Sequence, residues 1–413
     1  MFSYCNTIED ALKAPDFVTH LDLRGQNLYS LPKELGTLTN LEELDFRKNK
    51  ISELPQELIS LRRLRKIRGS ENRFTCFPQV LTALNFIEEI DLRENRIENI
   101  PASIRKLIQL KKFSLAWNNI HRLPEEFGNL VDLKQLDLQY NKIRDLPPSF
   151  HQLTKLKVLN IDWNLLEEVP IEIAKLKELR YLRLSENNIK VIPSFLGEIT
   201  KLKLLNLSSN KIEDLTSNIC SLEYLEDIDL HNNKISDILP CFCNSKNLKY
   251  LNFRNNNLKS LPVEFSKMDN LLHLDLSENE FREFPEVLCH NKGLRYLNLR
   301  FNRIEKLPSI VCEMEKLEEL YLGSNQVSYL PAAFFNMKNL SFLGLTQNNL
   351  SDFTLDFNEN SKLQGLYLGG NPIEKPIIGL ELLKHLKQLT IPEQTSNRSD
   401  IKSKLHWINV EIQ

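Results

Sequence analysis

The segment from His273 to Ser277 carries the three side-chain types of a serine nucleophile triad, with His273, Asp275 and Ser277 at alternate positions. A triad needs these groups within hydrogen-bond reach of one another beside an oxyanion hole. In a strand, alternate side chains share a face but lie about 6.6–6.8 Å apart along it. No Gly-x-Ser-x-Gly turn accompanies the serine. We therefore expect a polar surface here and a protein that is not an enzyme.

A second segment has better metal-ligand types, with Asp227, Asp229 and His231 again at alternate positions. Three ligands at that spacing cannot share one ion without help from other residues. The pair Gly369-Gly370 precedes Asn371-Pro372 and is typical of a turn, so it does not predict a phosphate-binding loop. We expect neither a metal nor a cofactor.

Four cysteines are separated by multiples of 23 residues: Cys220, Cys243, Cys289 and Cys312. Such spacing is compatible with a redox pair or a metal clip between neighbouring structural units. It is equally compatible with a tight position that needs a small side chain, because free cysteine behaves as a small buried hydrophobe. We favour the second interpretation.

Aromatic residues follow the same spacing, with Trp117, Tyr140 and Trp163 forming what we call the aromatic strip. Trp and Tyr are the residues most enriched at binding hot spots, and the strip is framed by Asp137, Asp162 and Arg183. The alternative is that the rings lie flat on one another and merely cover a turn. A second aromatic cluster is predicted as a further contact surface; it consists of Tyr250, His273, Tyr296, Phe301, Tyr321 and Phe342.

The spacing of 23 belongs to a repeat that runs from Val18 to His385 in sixteen copies without insertion. Apolar residues fall at positions 1, 4, 6, 11, 14, 18 and 21, as in the copy that begins at Leu133. Position 9 is Asn in 15 copies, with Gln26 the exception, and position 15 is Pro in 12. A period this regular predicts a solenoid whose stacked copies share one core.

Each repeat predicts one strand and one return segment. Positions 3 to 7 alternate between outward and inward side chains, as in a strand, so stacked copies form a parallel sheet. The Pro at position 15 predicts a return through short turns with little α-helix. The Asn at position 9 can satisfy backbone groups that the turn leaves unpaired, so these side chains should form a buried ladder.

This pattern resembles that of leucine-rich repeat proteins over most of the chain. Its Leu-Pro-x-x-Leu-x-x-Leu half resembles the intracellular Ras-group subclass, with the Ras-binding scaffolds, the Scribble-type polarity proteins and bacterial relatives. The resemblance implies an α/β-class horseshoe with a concave parallel β-sheet and a convex side of short turns, 3-10 and extended segments. It also implies binding to other proteins, with a small GTPase or a phosphatase subunit as candidate partner.

Three regions are predicted: an N-terminal capping helix in residues 1–17, the repeats in 18–385, and a partial repeat with a C-terminal cap in 386–413. Thr7 is the expected N-cap of the first helix, since Asp10 three residues later makes a variant of the capping box. Near the C-terminus, residues 399–408 predict a closing helix and residues 409–412 an edge strand.

The composition favours a cytoplasmic protein. A net charge of −2 predicts affinity for neither nucleic acid nor an anionic membrane. No run approaches 18 apolar residues, and the N-terminal segment lacks the charged and apolar parts of a signal peptide. Seven cysteines is an odd number, and the paired cap cysteines usual in extracellular members of the resembled family are missing. We therefore expect a monomer without a structural disulfide.

We expect a non-enzymatic protein–protein interaction scaffold that binds its partner on the concave face. One rival is an effector- or sensor-like protein that recognises a peptide or a glycan, and another is a regulatory subunit of a GTPase or phosphatase complex. Glycan binding would use aromatic platforms flanked by Asn and Asp, which the repeats around the strip partly offer.

Overall fold

A computed structural model describes residues 4–331, 334, 337–353 and 361–413. The chain forms two compact units, Met1–Asn206 and Leu207–Gln413. In each unit the same repeat produces a three-residue strand followed by a short 3-10 helix. The fold class is that of a leucine-rich-repeat solenoid, as the sequence predicted.

In the first unit, consecutive strands pair in parallel with a constant offset of one repeat, for example Leu136 with Leu159. The strands are β1 Tyr4–Cys5, β2 His20–Asp22, β3 Glu43–Asp45, β4 Lys66–Arg68, β5 Glu89–Asp91, β6 Lys112–Ser114, β7 Gln135–Asp137, β8 Val158–Asn160, β9 Tyr181–Arg183 and β10 Leu204–Asn206. Helix α1, Ile8–Lys13, begins after its N-cap Thr7, whose Oγ1 accepts the Asp10 N–H at 3.1 Å. Strand β1 was not predicted; it pairs with β2 and extends the sheet beyond the first repeat.

The second unit repeats this arrangement. Its strands are β11 Asp227–Asp229, β12 Tyr250–Asn252, β13 His273–Asp275, β14 Tyr296–Asn298, β15 Glu319–Tyr321, β16 Phe342–Gly344, β17 Gly365–Tyr367, β18 Gln388–Ile391 and β19 Asn409–Ile412. Helix α2, Arg398–Lys404, is shorter than the sequence predicted, because a turn at 405–407 leads into β19. Strand β19 pairs in parallel with β18, with Val410 beside Leu389.

The return segments are 3-10 helices, because a Pro at position 15 adopts the extended conformation and the next residues close i→i+3 turns. In the copy at Leu133, Pro147 has φ −66° and ψ 145°, and the Leu153 N–H donates to the Phe150 carbonyl at 3.1 Å. Among the described residues α1 and α2 are the α-helices, which confirms the prediction of little α-helix. The 3-10 helices are Pro15–Phe17, Lys33–Thr37, Gln56–Ser60, Gln79–Ala83, Ala102–Lys106, Glu125–Asn129, Pro148–Gln152, Ile171–Lys175, Ser194–Glu198, Ser217–Ser221, Pro240–Asn244, Val263–Lys267, Glu286–His290, Ser309–Glu313 and Leu380–Leu382.

The core lies between the sheet and the 3-10 helices and is filled by the predicted apolar positions. Leu136 and Leu138, at positions 4 and 6, are essentially inaccessible to solvent. Gly69 occupies position 6 without a side chain, and the ring of Phe46 from the preceding repeat fills the space. A Cβ at Gly69 would overlap that ring, coming within 2.5 Å of its Cζ. The missing side chain of one repeat is therefore compensated by a larger side chain in its neighbour.

The predicted asparagine ladder is present. The Nδ2 of Asn187 donates to the carbonyls of Ile161 and Leu184 at 3.0 and 3.1 Å, and its Oδ1 accepts the Leu166 N–H at 3.0 Å. Ile161 and Leu166 belong to the preceding repeat, so this one buried amide joins two repeats. Equivalent bonds recur at, for example, Asn118, Asn141, Asn256 and Asn302.

Candidate functional site

The rings of the aromatic strip stack on one another. The ring centroids of Trp117 and Tyr140 are 3.6 Å apart with an interplanar angle of 17°, and those of Tyr140 and Trp163 are 4.7 Å apart at 9°. Trp117 and Trp163 are nonetheless 50% and 44% exposed. Both faces of the Tyr140 ring are covered, so the strip presents mainly ring edges and the outer faces of the two indoles.

Each strip residue has a left-handed backbone, with φ of 57° at Trp117, 53° at Tyr140 and 56° at Trp163. Position 8 adopts this conformation throughout the repeats, where the chain leaves the strand and turns toward the core. A side chain other than Gly costs about 1–2 kcal/mol there, and bulky residues are rare. This left-handed conformation was not predicted from the sequence, although the Gly and Asn residues at the same position, such as Gly25, Asn232 and Gly370, are a signal for it.

The charged residues that frame the strip differ in their exposure. Asp162 is buried, and its Oδ1 accepts the Ser185 N–H at 2.6 Å. Burial raises the pKa of Asp162 to about 6, although this hydrogen bond acts to lower it. Burial likewise raises the pKa of Asp137, whose carboxylate accepts from Ser114 Oγ at 3.2 Å. Of the three predicted rim residues, Arg183 alone is exposed.

The second aromatic cluster lies on the exposed face of the second unit. His273 stacks on Tyr296, with ring centroids 3.8 Å apart and an interplanar angle of 6°, while Tyr250 lies 6.0 Å from His273. Tyr321 lies 5.6 Å from Tyr296, and its hydroxyl donates to Glu319 at 2.8 Å. Phe342 is half-buried in the next repeat. Phe301 is 55% exposed and occupies position 8 with φ 55°, so it belongs to the turn that follows the strand.

The N-terminal part of the sheet face is a lattice of compensated charges. Arg24 and Arg47 each pair with the aspartate two residues before them, Asp22 and Asp45, at 2.6 Å. The hydrogen bond from Arg24 lowers the pKa of Asp22 to about 2. Because these groups pair with one another and are partly exposed, each pair contributes little to the free energy of unfolding.

The two segments that suggested chemistry lack the required convergence. Ser277 Oγ donates to Asp275 at 2.5 Å, and the His273 ring packs on Tyr296, so the three groups do not form a relay from hydroxyl to imidazole to carboxylate. His231 Nδ1 lies 2.7 Å from the Asp229 carboxylate. Within the described residues, no group of three or more His, Cys, Asp or Glu side chains is arranged to hold a metal ion.

The expectation of seven free thiols and no disulfide was wrong for this structure. Cys220 is bonded to Cys241, with 5.7 Å between their Cα atoms. Cys243 was the expected neighbour of Cys220, because both occupy position 19 of adjacent repeats. Position 19 points inward in that repeat and buries Cys243, whereas Cys241 lies two residues earlier, nearer the surface.

Cys243 and Cys289 are free and buried, in agreement with the interpretation of position 19 as a site for a small side chain. Burial raises the pKa of each thiol to about 12. Since the thiolate is the reactive form, these two thiols are inert near neutral pH.

A groove that the sequence analysis did not predict lies away from the sheet face of the first unit. The side chains of Ile171 and Val191 are 60% and 59% exposed there. They line a cavity of about 860 Å³ together with acidic residues, among them Glu167 and Glu168. The signal in the sequence was Val191 at position 13, which is polar in most other copies.

Comparison with known families identifies the chain. A model of the leucine-rich repeat region matches residues 94–170, a leucine rich repeat model matches 154–212, 223–281, 246–304 and 292–350, and a further one matches 40–61. The chain belongs to the leucine-rich repeat proteins. No curated protein matches it at the sequence level. None of the helices in the described part of the chain is long and apolar enough to cross a membrane.

Solved structures agree with this assignment. A leucine-rich repeat protein of Leptospira interrogans shares 27% identity with a TM-score of 0.77, and the match covers 100% of both chains. The structure of PEPR1 with AtPEP1 shares 26% identity with a TM-score of 0.71, covering 99% of this chain and 67% of that one. Toll of Drosophila, solved in complex with Spatzle, shares the fold at 22% identity and a TM-score of 0.74, covering 90% of this chain and 54% of that one.

Proposed function

We propose that this leucine-rich repeat protein is a non-enzymatic scaffold that binds a protein partner on its exposed sheet face, with the aromatic strip as the primary contact. The observation that carries the proposal is the exposure of Trp117 and Trp163 at a backbone position that disfavours bulky residues. Stacking of aromatic rings contributes about 0.5–1.5 kcal/mol per pair and offsets part of that backbone cost. It leaves about half of each indole in water, where a partner can cover it.

The stacking geometry favours a protein or peptide over a glycan. Sugars pack against open ring faces, and the strip leaves such faces only on the outer sides of Trp117 and Trp163, because both faces of Tyr140 are covered by its neighbours. Ring edges carry partial positive charge, and each indole adds an N–H donor. Edges and donors of this kind suit the carbonyl groups and aliphatic side chains of a polypeptide. PEPR1 was solved with AtPEP1 and Toll with Spatzle, so leucine-rich repeat proteins with this fold are known in complexes of this general kind.

The second aromatic cluster is proposed as a contact surface of the second unit. Its rings are exposed or half-buried; they belong to Tyr250, His273, Tyr296, Phe301, Tyr321 and Phe342.

The proposed partner is a protein of the class that the subclass resemblance implies, a small GTPase or a phosphatase subunit. The chain acts as a monomer in the cytoplasm, where the Cys220–Cys241 disulfide is the exception among its cysteines, since the other five are free. Light scattering tests the monomer, and fractionation of cells tests the location.

The test of the primary contact is titration of a partner isolated by affinity purification and identified by mass spectrometry. Trp117→Ala and Trp163→Ala should each weaken binding by about thirty-fold, the effect of losing a 2 kcal/mol hot spot. Phe86→Ala removes an aromatic side chain of comparable exposure, 46%, that lies outside the sheet face, and it should bind normally. Arg47→Ala should alter mainly the salt dependence. Normal binding by both Trp variants together with a large loss in Arg47→Ala would place the site on the charge lattice instead.

A further inference from the structure

Glycines shape the sheet face at the end of the second unit. Gly344 lies beside Tyr321 in the adjacent strand, and Gly365 lies beside Phe342. A Cβ at Gly344 would come within 2.8 Å of the Tyr321 ring, and one at Gly365 within 2.6 Å of the Phe342 ring. The two rings therefore lie down over bare backbone of the next repeat. One side of each ring lies against this backbone, which leaves the opposite face to other groups.

One of these faces already accepts a cation. The guanidinium of Arg300 lies 4.9 Å from the centroid of the Tyr321 ring. Its Nε donates to the Asn298 Oδ1 at 3.2 Å, so an amide and a ring hold this arginine, and no carboxylate pairs with it among the described ion pairs. The geometry is that of a cation–π contact, in which the negative face of the ring attracts positive charge.

The carboxylates around this surface lack cationic partners, in contrast to those of the charge lattice. Asp275 accepts from Ser277 and from Asn298 Nδ2, the latter at 2.9 Å. Glu319 accepts the Tyr321 hydroxyl, and Glu411 accepts only a long bond of 3.4 Å from Gln413. None of the three carboxylates forms an ion pair among the described residues.

The charges converge on Tyr296. Burial, followed by the negative charge of Asp275, raises the pKa of Tyr296, and Glu319 adds to this while Arg300 opposes it. His273, stacked on the same ring, has its pKa lowered by burial, which favours its neutral form. On the outward strand positions 3, 5 and 7 of the five repeats that begin at Leu271, Leu294, Leu317, Leu340 and Leu363, Asp275 and Glu319 are the carboxylates and Arg300 is the single Lys or Arg. The surface therefore carries more negative than positive charge.

We propose that this face, centred on Tyr296, Tyr321 and Glu319, binds a cationic side chain, a guanidinium or an ammonium, presented by a protein or peptide. Ring faces and unpaired carboxylates together recognise such a group through cation–π and charge-assisted contacts. The inference rests on the proposed function of the second aromatic cluster as a contact surface, and it adds the chemistry of the group that is bound.

The experiment uses fluorescence anisotropy of the full chain with labelled ten-residue peptides of Gly and Ser that carry two arginines. The matched probe carries two citrullines, which keep the shape of arginine and lose its charge. The arginine peptide should bind about tenfold more tightly than the citrulline peptide, and added salt should reduce the difference.

Variants locate the site. Glu319→Gln and Tyr296→Leu should each weaken the arginine peptide by about five- to tenfold, with thermal melts that confirm folding. Glu305→Gln is the matched control, because Glu305 is exposed and lies outside the strands, in the repeat that precedes Glu319. This variant should bind the arginine peptide as tightly as the wild-type protein does. Equal affinity for the two peptides, no detectable binding of the arginine peptide, or an equal loss in Glu305→Gln overturns the proposal.

The peptide measurements do not need the protein partner. The proposal of a cation site and the proposal of the aromatic strip as the primary contact can therefore fail separately. If Tyr296→Leu weakens the partner while arginine and citrulline peptides bind alike, the surface is a contact without cation specificity. If the arginine peptide binds as expected while Trp117→Ala and Trp163→Ala leave the partner unaffected, the cation site stands and the aromatic strip is not the primary contact.

Discussion

Asp162 shows at the scale of one residue how burial changes a predicted rim charge. Its pKa of about 6 in the folded protein lies above the ordinary value of 3.8. Between these values the folded state holds more protons than the unfolded state, so the free energy of unfolding falls as the pH rises through this window. The loss should amount to about 1–3 kcal/mol between pH 4 and pH 7.

Urea denaturation at the two pH values checks this. Asp162→Asn cannot ionise and should lose less stability than the wild-type protein on going from pH 4 to pH 7. Asp145→Asn, at an exposed position of the same unit, is the control and should behave as wild type. An unchanged pH response in Asp162→Asn would show that the carboxylate is better solvated than the structure indicates.

The asparagine ladder predicts a large difference between two adjacent residues. Asn187→Ala removes the amide that joins Ile161, Leu184 and Leu166, and the buried groups left unpaired should cost about 1–3 kcal/mol. Asn188 is only half-buried, and its side chain makes no hydrogen bond within the described residues, so Asn188→Ala should change the free energy of unfolding by about 0.5 kcal/mol or less. Equal denaturation midpoints for the two variants would contradict the ladder's role.

At the scale of the repeat elements, Phe46 and Gly69 are a compensating pair in neighbouring strands. Gly69→Leu alone should destabilise the protein by about 1–3 kcal/mol, because the Phe46 ring occupies the space of the new side chain. Phe46→Leu alone should also destabilise, because it leaves a cavity. The double variant restores the usual apolar residue in both repeats, so its loss should be smaller than the sum of the two. A double-mutant cycle measures this coupling, and strictly additive losses would show that the two positions are independent.

At the scale of the whole molecule, the cysteines predict a thiol count. Protein purified without reductant and then denatured should show five free thiols, and seven after reduction. Cys220→Ser should raise the unreduced count by one, because Cys241 is released from its bond. Cys243→Ser should lower the count by one, because Cys243 is already free. A rise in Cys243→Ser instead would identify Cys243 as the partner of Cys220.

The sequence by itself determined the solenoid, the parallel strands, the 3-10 returns and the asparagine ladder. Each follows from a local pattern that recurs in phase, and neighbouring repeats impose the same environment on the same position. The sequence also located the aromatic strip and the second aromatic cluster, because a spacing of 23 places residues side by side in adjacent strands.

Only the tertiary structure decided how those side chains meet. It closed both faces of Tyr140, buried Asp162 beside Ser185, laid Tyr321 over Gly344 and chose Cys241 as the partner of Cys220. The physical reason is that each outcome depends on the rotamers and backbone angles of residues in two repeats at once. A periodic pattern gives the position of a residue on a face, but the direction of its ring and the water left around its charge are set by the neighbours packed against it.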